Sequence, residues 1–171
     1  MNHIHPTAVI YPNVVLGDNV FIGANSVIGA PAEHPDEIDP RQDRKFRVVI
    51  GNNVVIREHV TINSGTEQDT VIFDDCYIMS HSHIGHDCNI QKAAVLHTGC
   101  IIGGHSVIGS YSKIGLGAVL HQRTKLHTGT MVGAQAFVKN GTTDNFRIIA
   151  GVPAVDKGEN WRMIEKLKNW K

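Results

Sequence analysis

Eleven histidines are many for a chain of 171 residues, and six of them fall between His81 and His121. The run Ser80-His81-Ser82-His83-Ile84-Gly85-His86-Asp87, with Gly103-Gly104-His105 and His121-Gln122 beyond it, gathers imidazoles, a carboxylate and side-chain-free glycines. An imidazole titrates near neutrality, so it can take a proton from a hydroxyl or an amine and give it back. A backbone N–H at a glycine can face a developing oxyanion. These residues become a site only if the fold brings them together.

The chain has a beat that decides the fold. An aliphatic residue returns every sixth position: Ile4, Ile10, Leu16, Ile22, Ile28, then Ile50, Ile56, Ile62, then Ile72 through Ile78, Ile84, Ile90, Leu96, Ile102, Ile108, Ile114, Leu120, Leu126 and Val132 to Val138. Glycine often follows it, and the fourth residue after it is small, as at Ser26, Cys76, Cys88, Ala94, Cys100, Ser106 and Ala118. A helix repeats its apolar face at three and four residues and an alternating strand at two, so neither explains a period of six. A solenoid does. Each hexad is a short strand and a turn, three hexads close one triangular coil, and successive coils stack in parallel at ~4.8 Å. The aliphatic residue and its small partner fill the narrow interior. The fold expected is an all-β solenoid, a parallel β-helix.

Eighteen residues per coil sort the histidines. His86, Gly104 and Gln122 stack at one azimuth, His105 lies one coil above Asp87, and His121 belongs to the neighbouring column of Gly85 and Gly103. His86, Asp87, Gly104, His105, His121 and Gln122 then form one patch ~10 Å tall. A neutral imidazole of this patch can take a proton from a hydroxyl or amine, and the Gly104 N–H can face a developing oxyanion. Asp87 is placed either to pair with His105 or to orient His86, and the sequence does not choose.

The repeat resembles the hexapeptide-repeat acyltransferases over about Ile4 to Ala154, and the resemblance implies left-handed coils. The segments IGNNVVIREHVTINSGT, HIGHDCNI, GGHSVIG and GAVLHQ are similar to the UDP-N-acetylglucosamine acyltransferases of lipid A and lipopolysaccharide synthesis, with matching histidine spacing. That resemblance implies His86 as general base and Gly104 as the oxyanion-hole amide. It also implies that His83, His105 and His121 hold acceptor and thioester, in a homotrimer whose sites lie between subunits. Asn63, in Asn63-Ser64-Gly65-Thr66, stands where those enzymes carry a histidine, and is assigned to the acceptor. The chain departs from them in that segment, in the loop around Asp36 to Lys45 and in a much reduced C-terminal region. A smaller relative is expected, moving an acyl group from acyl-carrier protein or acyl-coenzyme A to a hydroxyl or amine of another nucleotide-linked sugar, with no bound cofactor and no metal. Lys92, Arg123 and Lys125 are candidates for the donor's phosphates.

Sixteen acidic and sixteen basic side chains cancel, which argues against a nucleic-acid partner. No run of eighteen apolar residues suggests membrane insertion, and the start has no basic leader, so the expected location is the cytoplasm. Cys76, Cys88 and Cys100, twelve apart, occupy small-residue slots on three different faces and read as core filler. His97 and His127 read as surface, and His3, His5 and His34 lie outside the patch.

The beat fails twice. From Ile28 to Ile50 the interval is 22 residues, and the charged, proline-rich stretch near 30–47 must leave the solenoid as a loop. From Ile62 to Ile72 four residues are inserted. The β-helix is expected over 1–153, with 154–171 as a C-terminal capping helix, amphipathic, on which Trp161, Ile164 and Leu167 share a face. Two rival readings remain. One is a zinc enzyme resembling the γ-class carbonic anhydrases, with His81, His86 and His59 as the available donors. The other is a non-catalytic β-helix scaffold.

Overall fold

A computed structural model describes residues 1–33 and 45–169. His34 and most of the loop near 30–47 lie outside the described residues. Twenty-three short strands and one helix are described, and the strands form one nine-stranded and two seven-stranded sheets, the three faces of a triangular prism. The expected β-solenoid is what the chain forms.

The hexad beat sets the register. On the first face Ile4 pairs with Ile22, Ile22 with Ile56, Ile56 with Ile78, Ile78 with Leu96, Leu96 with Ile114 and Ile114 with Val132, all in parallel. On the second face Ile62, Ile84, Ile102 and Leu120 stack in the same way, and on the third Ile72, Ile90, Ile108 and Leu126. Apart from Ile4 in the first coil, which is exposed, these side chains are fully buried or nearly so, and each such burial stabilises by ~1.5–3 kcal/mol. The small partners fill the remaining interior. Buried serines among them satisfy their hydroxyls locally, Ser106 Oγ donating to Gly103 O at 2.6 Å and Ser112 Oγ to His127 O at 3.0 Å. Cys76, Cys88 and Cys100 are buried free thiols on three different faces.

Corner residues with positive φ turn the coils, and their N–H groups donate to the coil below at Asn53, Asp75, Ala93 and Tyr111 along one edge, His59 and His81 along a second, and His105 and Arg123 along the third, where Asp87 is a further positive-φ corner. Asn, Asp and His adopt this conformation more readily than most residues.

Both interruptions leave the prism at that third edge. The long loop departs after the strand Val27–Ala30 and returns at Val48–Ile50; the short insertion departs after Thr61–Asn63 and returns at Thr70–Ile72. Both rejoin in register, Val48 beside Val14 and Thr70 beside Val48. The two loops are tied at their roots. Ser64 N donates to Ala30 O at 2.8 Å, and the Arg47 guanidinium reaches Asp69 Oδ2 at 2.9 Å.

The C-terminal end differs in detail from the sequence expectation. Residues Ala154–Glu159 form a strand, antiparallel to Arg147–Gly151, that closes the first face; the helix occupies Trp161–Lys168. An antiparallel return needs no six-residue beat, which is why the hexad pattern does not reveal it. Asn160 caps the helix, its Oδ1 accepting from Met163 N. Met163 is the buried anchor, whereas Trp161 remains 61% exposed. Among the described residues no helix is long and apolar enough to cross a membrane.

Candidate active site

The third edge carries the histidine patch one coil above the short insertion. His86 and Asp87 form the turn between the strands His83–Ile84 and Asn89–Ile90, and Gly104 and His105 form the equivalent turn one coil higher. The pairing of His83 with Ile101 and Ile84 with Ile102 sets the eighteen-residue offset that superposes them.

Asp87 is the fixed point. Its side chain is fully buried and accepts from five donors: Thr66 N at 3.0 Å, Thr66 Oγ1 at 2.7 Å, Glu67 N at 2.9 Å, Gln68 N at 2.8 Å and the His86 ring at 2.5 Å. The Gln68 carboxamide also donates to Asp87 O at 2.9 Å. Burial pushes the carboxyl's pKa up, but the donors from His86, Gln68, Thr66 and Glu67 outweigh it and hold the group well below the usual carboxylate range. An ionised carboxylate only accepts, so the proton in its bond with His86 sits on His86 Nδ1. His86 Nε2 is then the free, basic nitrogen.

That nitrogen lies over Gly104. A Cβ at Gly104 would come within 2.6 Å of Nε2 and 2.8 Å of Cε1, so only a glycine lets the imidazole lie against the coil above. In a hexad turn the N–H two residues after the aliphatic position has no ladder partner. At three turns a neighbouring side chain accepts from it, Asn52 Oδ1 from Asp18 N, Asp74 Oδ1 from Asn52 N and Gln91 Oε1 from Ser110 N, whereas at others, such as Leu116 and Gln122, no acceptor is present among the described residues. Gly104 N occupies the same position, and among the described residues no acceptor takes it.

His105 sits edge-on to His86 with ring centroids 4.9 Å apart, its Nε2 3.7 Å from Asp87 Oδ2. The two roles left open for Asp87 are therefore unequal: the bond to His86 is 2.5 Å, and the approach to His105 is longer than a hydrogen bond. Burial holds His105 below the ordinary histidine value, Asp87 opposing and Arg123 and His86 adding to the effect. Burial likewise lowers His83, against the pull of Glu33 at the root of the long loop. The His83 ring is hydrogen-bonded to Thr61 Oγ1 at 2.8 Å. His121 and Gln122 are exposed one coil above Gly104, with His121 Nδ1 3.1 Å from Gln122 O. Asn63 is buried at the loop root, its carboxamide nitrogen donating to Pro31 O.

His86, Asp87 and His105 offer a nitrogen, oxygen and nitrogen set within 4.8 Å, but a cation there would compete with the five donors already on Asp87. His59 and His81, the other histidines considered as zinc donors, stack on each other at 4.8 Å along a different edge from His86. The residues that sequence reasoning missed are Thr66, Glu67 and Gln68. Their signal was the four-residue insertion, one coil below Asp87.

The bacterial transferase hexapeptide family (six repeats) matches residues 1–30. The acyl-[acyl-carrier-protein]–UDP-N-acetylglucosamine O-acyltransferase of Paraburkholderia phytofirmans is 47% identical over 58 residues, covering 32% of this chain and 22% of that enzyme. The chain thus aligns with about a fifth of the length of this curated relative. Among solved structures, the UDP-N-acetylglucosamine acyltransferase of Campylobacter jejuni superposes with a TM-score of 0.77 at 27% identity, over 95% of this chain and 77% of that one. An N-acyltransferase from Bacillus cereus, solved with dTDP and coenzyme A, superposes with a TM-score of 0.58 at 18% identity, over 97% and 84% of the two chains. At that identity the likeness is one of fold.

Proposed function

We propose that this hexapeptide-repeat chain is an acyltransferase that moves an acyl group from a pantetheine thioester, on acyl-carrier protein or coenzyme A, to a hydroxyl or amine of a nucleotide-linked sugar. The observation that carries the proposal is the alignment of Asp87, His86 and Gly104. A buried carboxylate fixes the imidazole proton on Nδ1, the free Nε2 faces the site, and an amide without an acceptor stands one coil above.

In this reading His86 Nε2 takes the proton of the acceptor O–H or N–H as that atom bonds to the thioester carbonyl carbon. The carbonyl electrons move onto oxygen, and the Gly104 N–H stabilises the oxyanion by ~3 kcal/mol. The intermediate collapses with cleavage of the C–S bond, and the imidazolium returns its proton to the departing sulfur. Asp87 stabilises the imidazolium while it lasts. His83, His105, His121 and Gln122 line the acceptor and donor positions around this centre, and Asn63 sets the loop root beneath them. The working unit is a homotrimer in which this edge faces a neighbouring subunit. The names of the similar acyltransferases support the reaction class, and their partial coverage leaves the sugar and the acyl length to experiment.

The test is to incubate the purified protein with short and long acyl thioesters of both carriers and a panel of nucleoside-diphosphate sugars and amino sugars. Mass spectrometry should find an acylated sugar nucleotide, and His86→Ala should lower its formation by roughly 10²–10⁴-fold. No acylated product from any pair, or undiminished product with His86→Ala, rejects the proposal. Sedimentation should return three chains per particle.

A further inference from the structure

The short insertion after Asn63 is wrapped around one group. Thr66 N, Glu67 N and Gln68 N all point at the Asp87 carboxylate, Thr66 Oγ1 adds a fourth donor at 2.7 Å, and the Gln68 carboxamide holds the Asp87 carbonyl from the same loop. No hexad turn supplies this, because a regular turn places only one residue above each position of the coil below. The four extra residues let three consecutive amides converge on a point that the solenoid alone leaves bare.

A carboxylate already satisfied by the main chain needs no imidazole partner to be stable when buried. Its bond with His86 Nδ1 therefore works in one direction: it constrains the imidazole, while the loop constrains the carboxylate. Asp87 Oδ2, the oxygen that meets His86, is also the one that accepts from Thr66 Oγ1. Losing that hydroxyl would leave Oδ2 only the longer 3.2 Å contact from Thr66 N beside its bond with His86, so it could turn about the Oδ1 oxygen, which Glu67 N and Gln68 N hold independently. The imidazole would lose the partner that selects its tautomer.

We propose that Thr66, with Gln68, is a positioning residue for the reaction, acting through Asp87 to hold His86 in the Nδ1–H tautomer with Nε2 toward the substrate. This inference rests on the reading of His86 as general base, and it assigns a function to the insertion that the repeat does not require. Thr66 itself touches neither reacting atom.

The test compares Thr66→Val, which removes the hydroxyl and keeps the amide, with Thr66→Ser, which keeps both. Thr66→Val should lower kcat by roughly 10–100-fold, as small misplacements of catalytic groups do. Both KM values should stay within about twofold, because ground-state binding is untouched. The 15N spectrum of histidine-labelled protein in alkaline buffer, with the His86 signal assigned by its loss in His86→Asn, should show a single Nδ1–H tautomer in the parent chain and a mixture in Thr66→Val. Thr66→Ser should restore both readouts. Gln68→Ala, which spares every bond to the carboxylate, provides a second variant should Thr66→Val fold poorly; it should show a smaller shift toward the same mixture. The proposal is overturned if the tautomer is unchanged in the folded variants, or if Thr66→Val keeps the parent kcat. If the tautomer responds to Thr66 but no acyl transfer occurs with any substrate pair, the acyltransferase reading falls and the positioning role stands.

Discussion

The imidazole of His86 rests on the backbone of Gly104, so closely that a single methyl group at 104 would lie 2.6 Å from Nε2. Side chain and main chain from successive coils are thereby locked into one unit. Gly104→Ala should push the ring off its partner Asp87 while leaving the solenoid interior intact, since the added carbon points at the imidazole. A loss of roughly 10²–10³-fold in kcat is expected, with a melting temperature close to that of the parent. Steady-state kinetics beside a thermal melt checks both, and full activity in the variant would contradict the geometry.

Asp87→Asn is expected to damage stability and activity together. The carboxylate accepts from three consecutive amides and a hydroxyl, and a carboxamide must turn its NH2 toward either those donors or His86. A buried donor facing donors costs ~1–3 kcal/mol. The wrong imidazole tautomer should lower kcat by roughly 10⁴-fold, as in hydrolases with an equivalent Asp. Denaturant unfolding and initial rates measure the two effects separately.

Acid should weaken the fold in two stages. His83 and His105 are held below the ordinary histidine value, chiefly by burial, so the unfolded chain takes up protons before the folded one as pH falls through ~6.5. Asp87 lies below its unfolded value of ~3.9, so its contribution is complete above that pH and is lost as pH falls through the folded value. The melting temperature should be level between pH 8 and 7, decline below ~6.5 and fall more steeply below ~4. Replacing both His83 and His105 with Gln should remove the first decline only.

The thiols should be inert in the folded protein. Burial pushes Cys76 and Cys88 up to about 12 and Cys100 up to about 11, so almost no thiolate is present at neutral pH. A chromogenic disulfide reagent should react with none of the three until denaturant is added, and then with all three. Rapid reaction of the native protein would show that the interior opens.

Ala93 occupies a corner with φ of +55°, a conformation in which alanine gains no side-chain hydrogen bond. Its neighbours in the column, Asn53 and Asp75, are the residue types that tolerate it. Ala93→Asn should stabilise the protein by ~0.5–1 kcal/mol and raise the melting temperature by roughly 2–4 °C. Differential scanning calorimetry would register the shift.

Much of this arrangement was legible from spacing alone. One aliphatic residue per six positions fixes the coil length, and the coil length by itself places His105 over Asp87 and Gly104 over His86. The repeat could not reveal what departs from it. Thr66, Glu67 and Gln68 act through main-chain amides, which carry no side-chain signature, and their direction depends on how a four-residue insertion folds. The strand Ala154–Glu159 escaped for a similar reason, because an antiparallel return obeys a hairpin's rules. The preference of Asp87 for His86 over His105 was a matter of about an ångström, below what sequence offsets resolve.

Both loops leave and rejoin the prism at one edge without rotating the coils above them. That edge is a socket. Segments of other lengths and compositions can be exchanged between Ala30 and Val48, or between Asn63 and Thr70, while the strands on either side keep their partners. Exchange between Ala30 and Val48 leaves untouched the three amides of Thr66, Glu67 and Gln68 that hold Asp87, and with them the stacking of His86 on Gly104.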